Sequence, residues 1–515
     1  MEKKDNIIKN SLTISVIVFI GKILGFVKQA VVAWAFGANA STDIYFAADG
    51  YTSMFGQIMG TSVAPTVLTR YVKLEEEGEK RKAQKLIQQS YIFFGIVGIV
   101  LVLLNMLFSS HICNLIGISY SLEQKSELRI YVIALCPVML LTSLSGVSQG
   151  YLDAHRRFLP AKLCSLFFSI SIIVSVLLFH NQLGLKSFLI GFLFGYVAHT
   201  LLMVSLTITK TGIWGGNPFK NIEFRKMIRR FGPLVIGNSV VDLGHLIDKI
   251  VASSLMAGSV SVLYYGQVIS GDLVNAVIIS SVGTVLLTSF TRSVAGKTEK
   301  NKIADKIEFI ICSMTLLTAL ISSLYFVEGT DLIELFFERG NFGHDSTVIV
   351  SSLASFYAMG FIFMANREVL IKAHYAFQDT FTPMINSVIG VIVNLIGSII
   401  LSKIMGITGI ALATSFSMLI VAIISLFTLK KHLGRFPVSI KCVLDWLKIL
   451  LSGSISCVGG FFLNNLLIGL NIMIRLVLVS CSMVSIYFLF AVLLKEEVVR
   501  TFVLPIIKTR ILRKE

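Results

Sequence analysis

Residues 21–50 read GKILGFVKQAVVAWAFGANASTDIYFAADG. An apolar run ends in the break GANAS and a second run begins at once, with Lys22 and Lys28 inside the first and Asp43 and Asp49 inside the second. A helix that crosses hydrocarbon needs about 20 mostly apolar residues. Outward from this stretch, such runs recur from residue 10 to residue 494 with only short polar breaks. The chain has 515 residues, 55% hydrophobic and 14% charged, against roughly 45–50% and 25% in soluble domains. Lipid is therefore the expected solvent, and no soluble domain of useful size fits in what remains.

The runs predict fourteen spanning helices. The first eight cover about 10–36, 41–69, 86–108, 128–153, 158–180, 184–208, 229–256 and 261–291; the last six cover about 307–327, 346–372, 380–403, 407–429, 445–468 and 473–494. Of the 45 Lys and Arg, 35 fall at the two ends of the chain and in breaks after even-numbered helices, six after odd-numbered ones, and four inside helices. Cytoplasmic loops carry such an excess, so both ends are expected in the cytoplasm. The same placement accounts for the net charge of +16 without nucleic acid as a partner. The N-terminal MEKKDNIIKN reads as the cytoplasmic end of the first helix and not as a removed signal peptide. The seven cysteines show no CxxC pair and read as small core residues.

Ala154, His155 and Phe158 recur as Ala373, His374 and Phe377, and Tyr45 and Phe46 as Tyr264 and Tyr265, both at an offset of 219. The expected organisation is two six-helix halves in the same orientation, 1–208 and 209–430, followed by two additional helices and a basic tail over 431–515. Repeats related by an axis along the membrane normal place a substrate site between the halves. The break after the ninth helix, EGTDLIELFFERGNFGHD, is read either as a segment lying in the interface plane or as an ordinary packed loop.

An ionisable residue within a span costs about 2.5–3.5 kcal/mol on insertion scales and marks a wet cavity or a protein interior. Such residues are Lys22, Lys28, Asp43, Asp49, Asp242, His245, Asp248, Lys249, Asp272, Arg367 and Glu368. Those at 242, 245, 248 and 249 share a helical face. Candidate substrate contacts are Lys22, Lys28, Asp43, Asp49, Asp242, Asp248, Lys249 and Arg367: a cationic cavity for phosphate oxygens, with acidic partners orienting the cations. The plain alternative is ion pairs that merely neutralise each other. Glycines 21, 25, 37, 56 and 60 suit close helix packing, and Gly25, between the lysines, is a candidate hinge. There is no P-loop, HExxH, GxSxG or paired Cys/His spacing, so neither an enzyme nor an ATP-driven pump is indicated. No cofactor is expected; a coupling monovalent cation or the membrane potential would supply energy.

The opening stretch resembles the first two helices of the MurJ (MviN) family, which read R-I-L-G-x-x-R and then A-F-G followed by D-A-F-x-x-A. LFFERGNF, AHYAFQDTFTP and GITGIALATS are similar to further segments of that family, in its order and through about residue 430. The resemblance implies the multidrug/oligosaccharidyl-lipid/polysaccharide exporter fold in the bacterial plasma (inner) membrane. It also implies flipping of lipid II, the undecaprenyl-pyrophosphate-linked peptidoglycan precursor, to the outer leaflet. It places the family's basic pair on Lys22 and Lys28, where lysine keeps the charge but not the bidentate fork of arginine. The family's helix-two aspartate falls on Asp43, and the nearest acidic residues to its cation site are Asp248 and Asp379. Two family cations are missing, near Gly56 and Gln57 and near Val268. That leaves open another polyprenyl-linked glycan as cargo, with cell-wall synthesis proteins as possible partners of the loops. A cation-coupled drug antiporter and a non-transporting scaffold for wall synthesis are the rivals from other classes.

Overall fold

The computed structural model describes residues 2–503 other than 156, 213–214, 273, 275–279 and 297. Every regular element among them is helical: α1 (Glu2–Phe36), α2 (Ala40–Glu76), α3 (Lys80–Leu107), α4 (Ser109–Ile116), α5 (Leu122–Leu135), α6 (Pro137–Ala154), α7 (Phe158–Leu183), α8 (Leu185–Thr211), α9 (Ile222–Ser253), α10 (Ser259–Gly266), α11 (Ser280–Ala295), α12 (Lys300–Phe337), α13 (His344–Ala358), α14 (Phe361–Ala376), α15 (Phe381–Met405), α16 (Ile407–Leu433), α17 (Ile440–Leu466) and α18 (Ile472–Leu493). All fourteen expected spans have counterparts. The fourth is α5 and α6, broken at Pro137, and the tenth is α13 and α14, bent by 42°. The eighth is α10 and α11 with a π turn at Gln267–Asp272.

Among the described residues, ten spans are long and apolar enough to cross a membrane unaided, and the bent pair adds one. Two long helices left out are α2 and α9, which carry most of the buried charge predicted from sequence. Polar groups inside a membrane protein are shielded by packing against other helices. A low-hydropathy span is thus the expected signature of a helix that lines the protein interior.

The helices form two compact units, residues 1–261 with 339–343, and residues 262–338 with 344–515. The first boundary therefore falls near residue 261 and not at 208. The reason is that α9 is fastened within the first unit: Arg70 of α2 forms an ion pair with Glu223, and Phe231 packs on Phe94 of α3 with ring centroids 5.0 Å apart. Likewise α17 and α18 are part of the second unit and not an appendage. Tyr487 donates to the Leu316 carbonyl at 2.7 Å and Ser480 to Glu328 at 2.5 Å.

Internal repetition shows in the hairpins. In the first unit α7 turns into α8 through Gly184 alone, at φ 54°, and in the second α15 turns into α16 through Gly406 alone, at φ 65°. A one-residue reversal of this kind needs the left-handed region that only glycine enters without strain. The repeat partners Phe46 and Tyr265 are both fully buried.

The break expected after the ninth helix is not a surface segment. Residues 328–337 continue α12, and only the short turn beyond leaves it. Glu328 and Asp331 are buried, and both find partners on α18, Asp331 accepting from Arg475 at 2.7 Å. Arg475, one of the six positive charges placed after odd-numbered helices, is one half of a largely buried pair. The turn after it packs on the end of α1, with Asn341 donating to the carbonyls of Trp34 and Ala35.

Removing one partner of a buried pair is more damaging than removing both. Arg475→Met is expected to destabilise the detergent-solubilised protein by about 3–5 kcal/mol, and Asp331→Asn in the same chain to restore most of that. Chemical unfolding of the single and double variants checks it; equal loss in both would mean that the pair does not hold α12 to α18.

Candidate functional site

The first unit holds seven of the eight candidate substrate contacts singled out from sequence. On α1, Lys22 is exposed, no neighbour lies within 4 Å of the Cβ position of Gly25, and Lys28 is half-buried with its ammonium 5.1 Å from the centroid of the Phe168 ring. Spacing by three puts 22, 25 and 28 along one side of the helix. A cation over an aromatic face gains roughly 0.5–2 kcal/mol, so Phe168 helps to position Lys28.

Phe168 in turn packs edge-on against Tyr196 of α8, with centroids 4.9 Å apart. Tyr196 lines a pocket of about 220 Å³ together with Gly56, Gln57 and Gly60 of α2, Gln149 of α6 and His199 of α8. Gly60 has nothing within 4 Å of its Cβ position, and Gly56 meets only Thr142 and Val138 in ordinary contact. The stretch of helix two near Gly56 and Gln57, where one family cation is missing, therefore forms a neutral, roomy wall. His199 was missed by sequence reasoning. Its buried Nδ1 has no hydrogen-bond partner among the described residues. The available signal was an ionisable ring inside the apolar run of α8, which marks a functional candidate by default.

Asp43 does different work. Its Oδ2 accepts from the Gly258 amide at 2.6 Å, and its Oδ1 accepts from the Ser261 amide at 2.7 Å and the Ser261 hydroxyl at 2.6 Å. The neighbouring Thr42 hydroxyl meets the same Ser261 hydroxyl at 2.8 Å. The carboxylate thus clasps the start of α2 to the turn where α10 begins, and at 4% exposure it is not open to a ligand. Asn39 sets up this geometry: its side chain caps α2 by accepting from the Ser41 and Thr42 amides.

The α9 group does not act as one face. Asp248 and Lys249 are buried, Asp242 is half-buried and His245 is exposed. Lys249 reaches across to α2, donating to the Phe46 carbonyl at 3.4 Å. Its stem passes so close to Gly50 that a Cβ there would lie 2.5 Å from its Cδ. Gly50 is the absence of side chain that lets the cation through. Asp49 is half-buried and accepts from Ser53 at 2.7 Å.

In the second unit, Arg367 donates to Ser387 at 3.1 Å. Its neighbour Glu368 pairs with Lys372 at 2.7 Å, so the two adjacent charges do not cancel each other. Asp379 accepts from the Thr382 amide at 3.0 Å and contacts His374 and His432. The two acidic residues suggested for a cation lie in different units, Asp248 in the first and Asp379 in the second.

Two units of membrane-spanning helices, with cations on the first helix and a polar pocket within the first unit, are the architecture of a polytopic membrane transporter. The family model described as "Lipid II flippase MurJ" matches residues 32–499, and the chain belongs to that family. A probable lipid II flippase MurJ of Thermotoga maritima is 26% identical over 504 residues, covering 95% of this chain and 97% of that one. One from Buchnera aphidicola is 24% identical over 392 residues, 74% of each chain. Among solved structures, a lipid II flippase MurJ in an inward closed conformation matches with a TM-score of 0.79 at 24% identity, over 93% of this chain and 98% of that one. An inward-facing multidrug resistance MATE family transporter of the MOP superfamily matches with a TM-score of 0.67 at 12% identity, over 80% and 94%. The protein is a multi-pass transporter of the bacterial inner membrane and not an enzyme.

If Asp43 is a clasp, its loss must loosen the far side of the contact. Asp43→Ala is expected to expose the Gly258 and Ser261 amides to hydrogen exchange and to cost about 1.5–3 kcal/mol, whereas Ser261→Ala, which keeps both amide bonds, costs less. Exchange at those two amides as slow as in the parent protein would remove Asp43 from this role.

Proposed function

We propose that this protein moves lipid II from the cytoplasmic to the outer leaflet by alternating access, with the pyrophosphate met by Lys22 and Lys28. The observation that carries this reading is the α1 face itself: two lysines bracket the open position at Gly25, and Lys28 is held by Phe168 beside the Tyr196 pocket. An ammonium serves phosphate as a point charge and not as a planar fork, which suits a group that must be released as well as bound. The gap beside Gly25 leaves room for α1 to bend while the lysines keep their cargo.

Membership of the flippase family sets aside the drug antiporter and the non-transporting scaffold, and favours lipid II over another polyprenyl-linked glycan. The lipid tail stays in the bilayer while the headgroup crosses. Energy comes, in this reading, from the membrane potential or from a coupling monovalent cation acting on buried charge; moving one charge through 100 mV supplies about 2.3 kcal/mol. Wall-synthesis enzymes that consume the flipped precursor are the natural protein partners.

The test uses cells depleted of their own flippase and supplied with this protein or its Lys22→Ala/Lys28→Ala variant, at matched membrane levels. Outer-leaflet lipid II is expected to fall by about tenfold or more in the variant, the loss of at least one charge-assisted contact, while Lys22→Arg/Lys28→Arg retains it. Unchanged outer-leaflet precursor in the alanine variant would overturn the role of the lysines. Failure of the parent protein to restore any would overturn lipid II as its cargo.

His199 supplies a second, separable test. His199→Phe fills the pocket wall and removes the unpartnered nitrogen, and is expected to reduce flipping by about tenfold without changing membrane insertion. A variant as active as the parent would show that the pocket does not meet the headgroup.

A further inference from the structure

Within the second unit, at the ends of α14 and α16, three potential metal ligands converge outside the transport site. His374 lies in the last turn of α14, Asp379 in the connection to α15, and His432 in the last turn of α16. His374 Nδ1 is 3.1 Å from Asp379 Oδ2, and His432 Nε2 is 2.9 Å from the same oxygen. The three ligand atoms all lie within 4.8 Å of one another. A tetrahedral Zn²⁺ with ligands at about 2.0–2.1 Å sets them about 3.3 Å apart. Two of the three separations are close to that already, and His432, at 30% exposure, is the most open of the three side chains.

The surroundings orient the His374 ring. Its Nε2 lies 3.2 Å from the Thr428 hydroxyl, which also accepts from Asn386 Nδ2, while its Nδ1 faces Asp379. The His374 side chain is fully buried, with its Nδ1 3.1 Å from the carboxylate oxygen. An imidazole that binds metal through one nitrogen and is oriented by a hydrogen bond at the other is the usual arrangement of a metal-ligating histidine.

Gln378, just before Asp379, adopts φ 63° without being glycine. That conformation turns the chain so that the Asp379 amide bonds back to the His374 carbonyl and the carboxylate faces inward. His432 is held flat against Phe377, with the rings 8° from parallel. Two imidazoles and a carboxylate, open on one side to solvent, are a three-ligand set with a fourth place for water. Imidazole nitrogens select borderline cations such as Zn²⁺, Ni²⁺ or Cu²⁺ over Na⁺, Mg²⁺ or Ca²⁺.

We propose that His374, Asp379 and His432 form a binding site for a divalent first-row transition metal, of which Zn²⁺ is the type case. The metal pins the α14–α15 connection to the end of α16. The distribution of Lys and Arg puts this connection on the cytoplasmic face, where the site would meet the cellular pool of such metals.

The experiment is a titration of the full-length, chelator-treated protein in detergent with Co²⁺ alone. The expected result is one Co²⁺ per chain with the visible absorption of a tetrahedral N/O site, displaced by Zn²⁺. Thr428→Val, which removes only the orienting hydroxyl, is expected to weaken binding by about 10–100-fold; His432→Ala and Asp379→Asn should abolish the absorption. His432 is half-exposed, so His432→Ala keeps the fold, and an unchanged elution profile and thermal midpoint without metal verify that. Sub-stoichiometric binding by the parent protein would overturn the proposal. So would binding that survives His432→Ala, or binding lost instead in His344→Ala, whose ring faces Glu338 elsewhere on the second unit.

Discussion

A charge inside hydrocarbon must be held by the protein, and most of this architecture follows from how each one is held. The clearest case is Asp43, whose two oxygens take three hydrogen bonds from Gly258 and Ser261. One carboxylate thereby fixes where α2 starts and how the turn into α10 approaches it. Lys249, buried and bonded to the Phe46 carbonyl, fastens α9 to the same helix one turn further along. In the second unit Asp331 with Arg475 and Glu328 with Ser480 tie α12 to α18. Lipid offers no hydrophobic drive for helices to associate, so packing and polar ties of this kind carry the association.

The same constraint separates structural charges from functional ones. A charge whose partners come from its own unit and leave no oxygen or proton facing outward is a tie. Lys22 and Lys28 differ: the one is exposed, and the other is half-buried with its ammonium over an aromatic ring. Their neighbour Gly25 faces open space. Burial and ionisability alone do not distinguish these cases, and the geometry of partners does.

This is also where sequence reading stopped. Apolar length, loop charge and the 219-residue offset are periodic properties, and they made the fourteen spans and the repeat legible. The extent of α12 was not, because Glu328 and Asp331 look like loop residues until Ser480 and Arg475, some 150 positions away, meet them. The grouping of α9 with the first unit failed for a like reason, since the Arg70–Glu223 pair and the Phe94–Phe231 contact join residues far apart in the chain. Lys22, Lys28 and Asp43 could be picked out as embedded charges, but only distances assign Asp43 to holding the fold. His199 carried the same signal in a plainer setting and was passed over because no second ionisable residue stood beside it in sequence.

The two halves then show how a duplicated scaffold diverges. The offset of 219 carries His155 onto His374. In the first unit His155 lies tilted against the rings of Tyr71 and Tyr151 and comes within 3.8 Å of Glu75, a partner on α2. In the second, its counterpart faces Asp379 and Thr428. The same offset carries Asp379 back onto Pro160 and His432 back onto Ile213, neither of which can ligate. The three-residue cluster therefore has no counterpart in the first half. A histidine stands at the end of the fourth helix of each half; in the first it is held by Tyr71, Tyr151 and Glu75, and in the second it shares one Asp379 oxygen with a second imidazole.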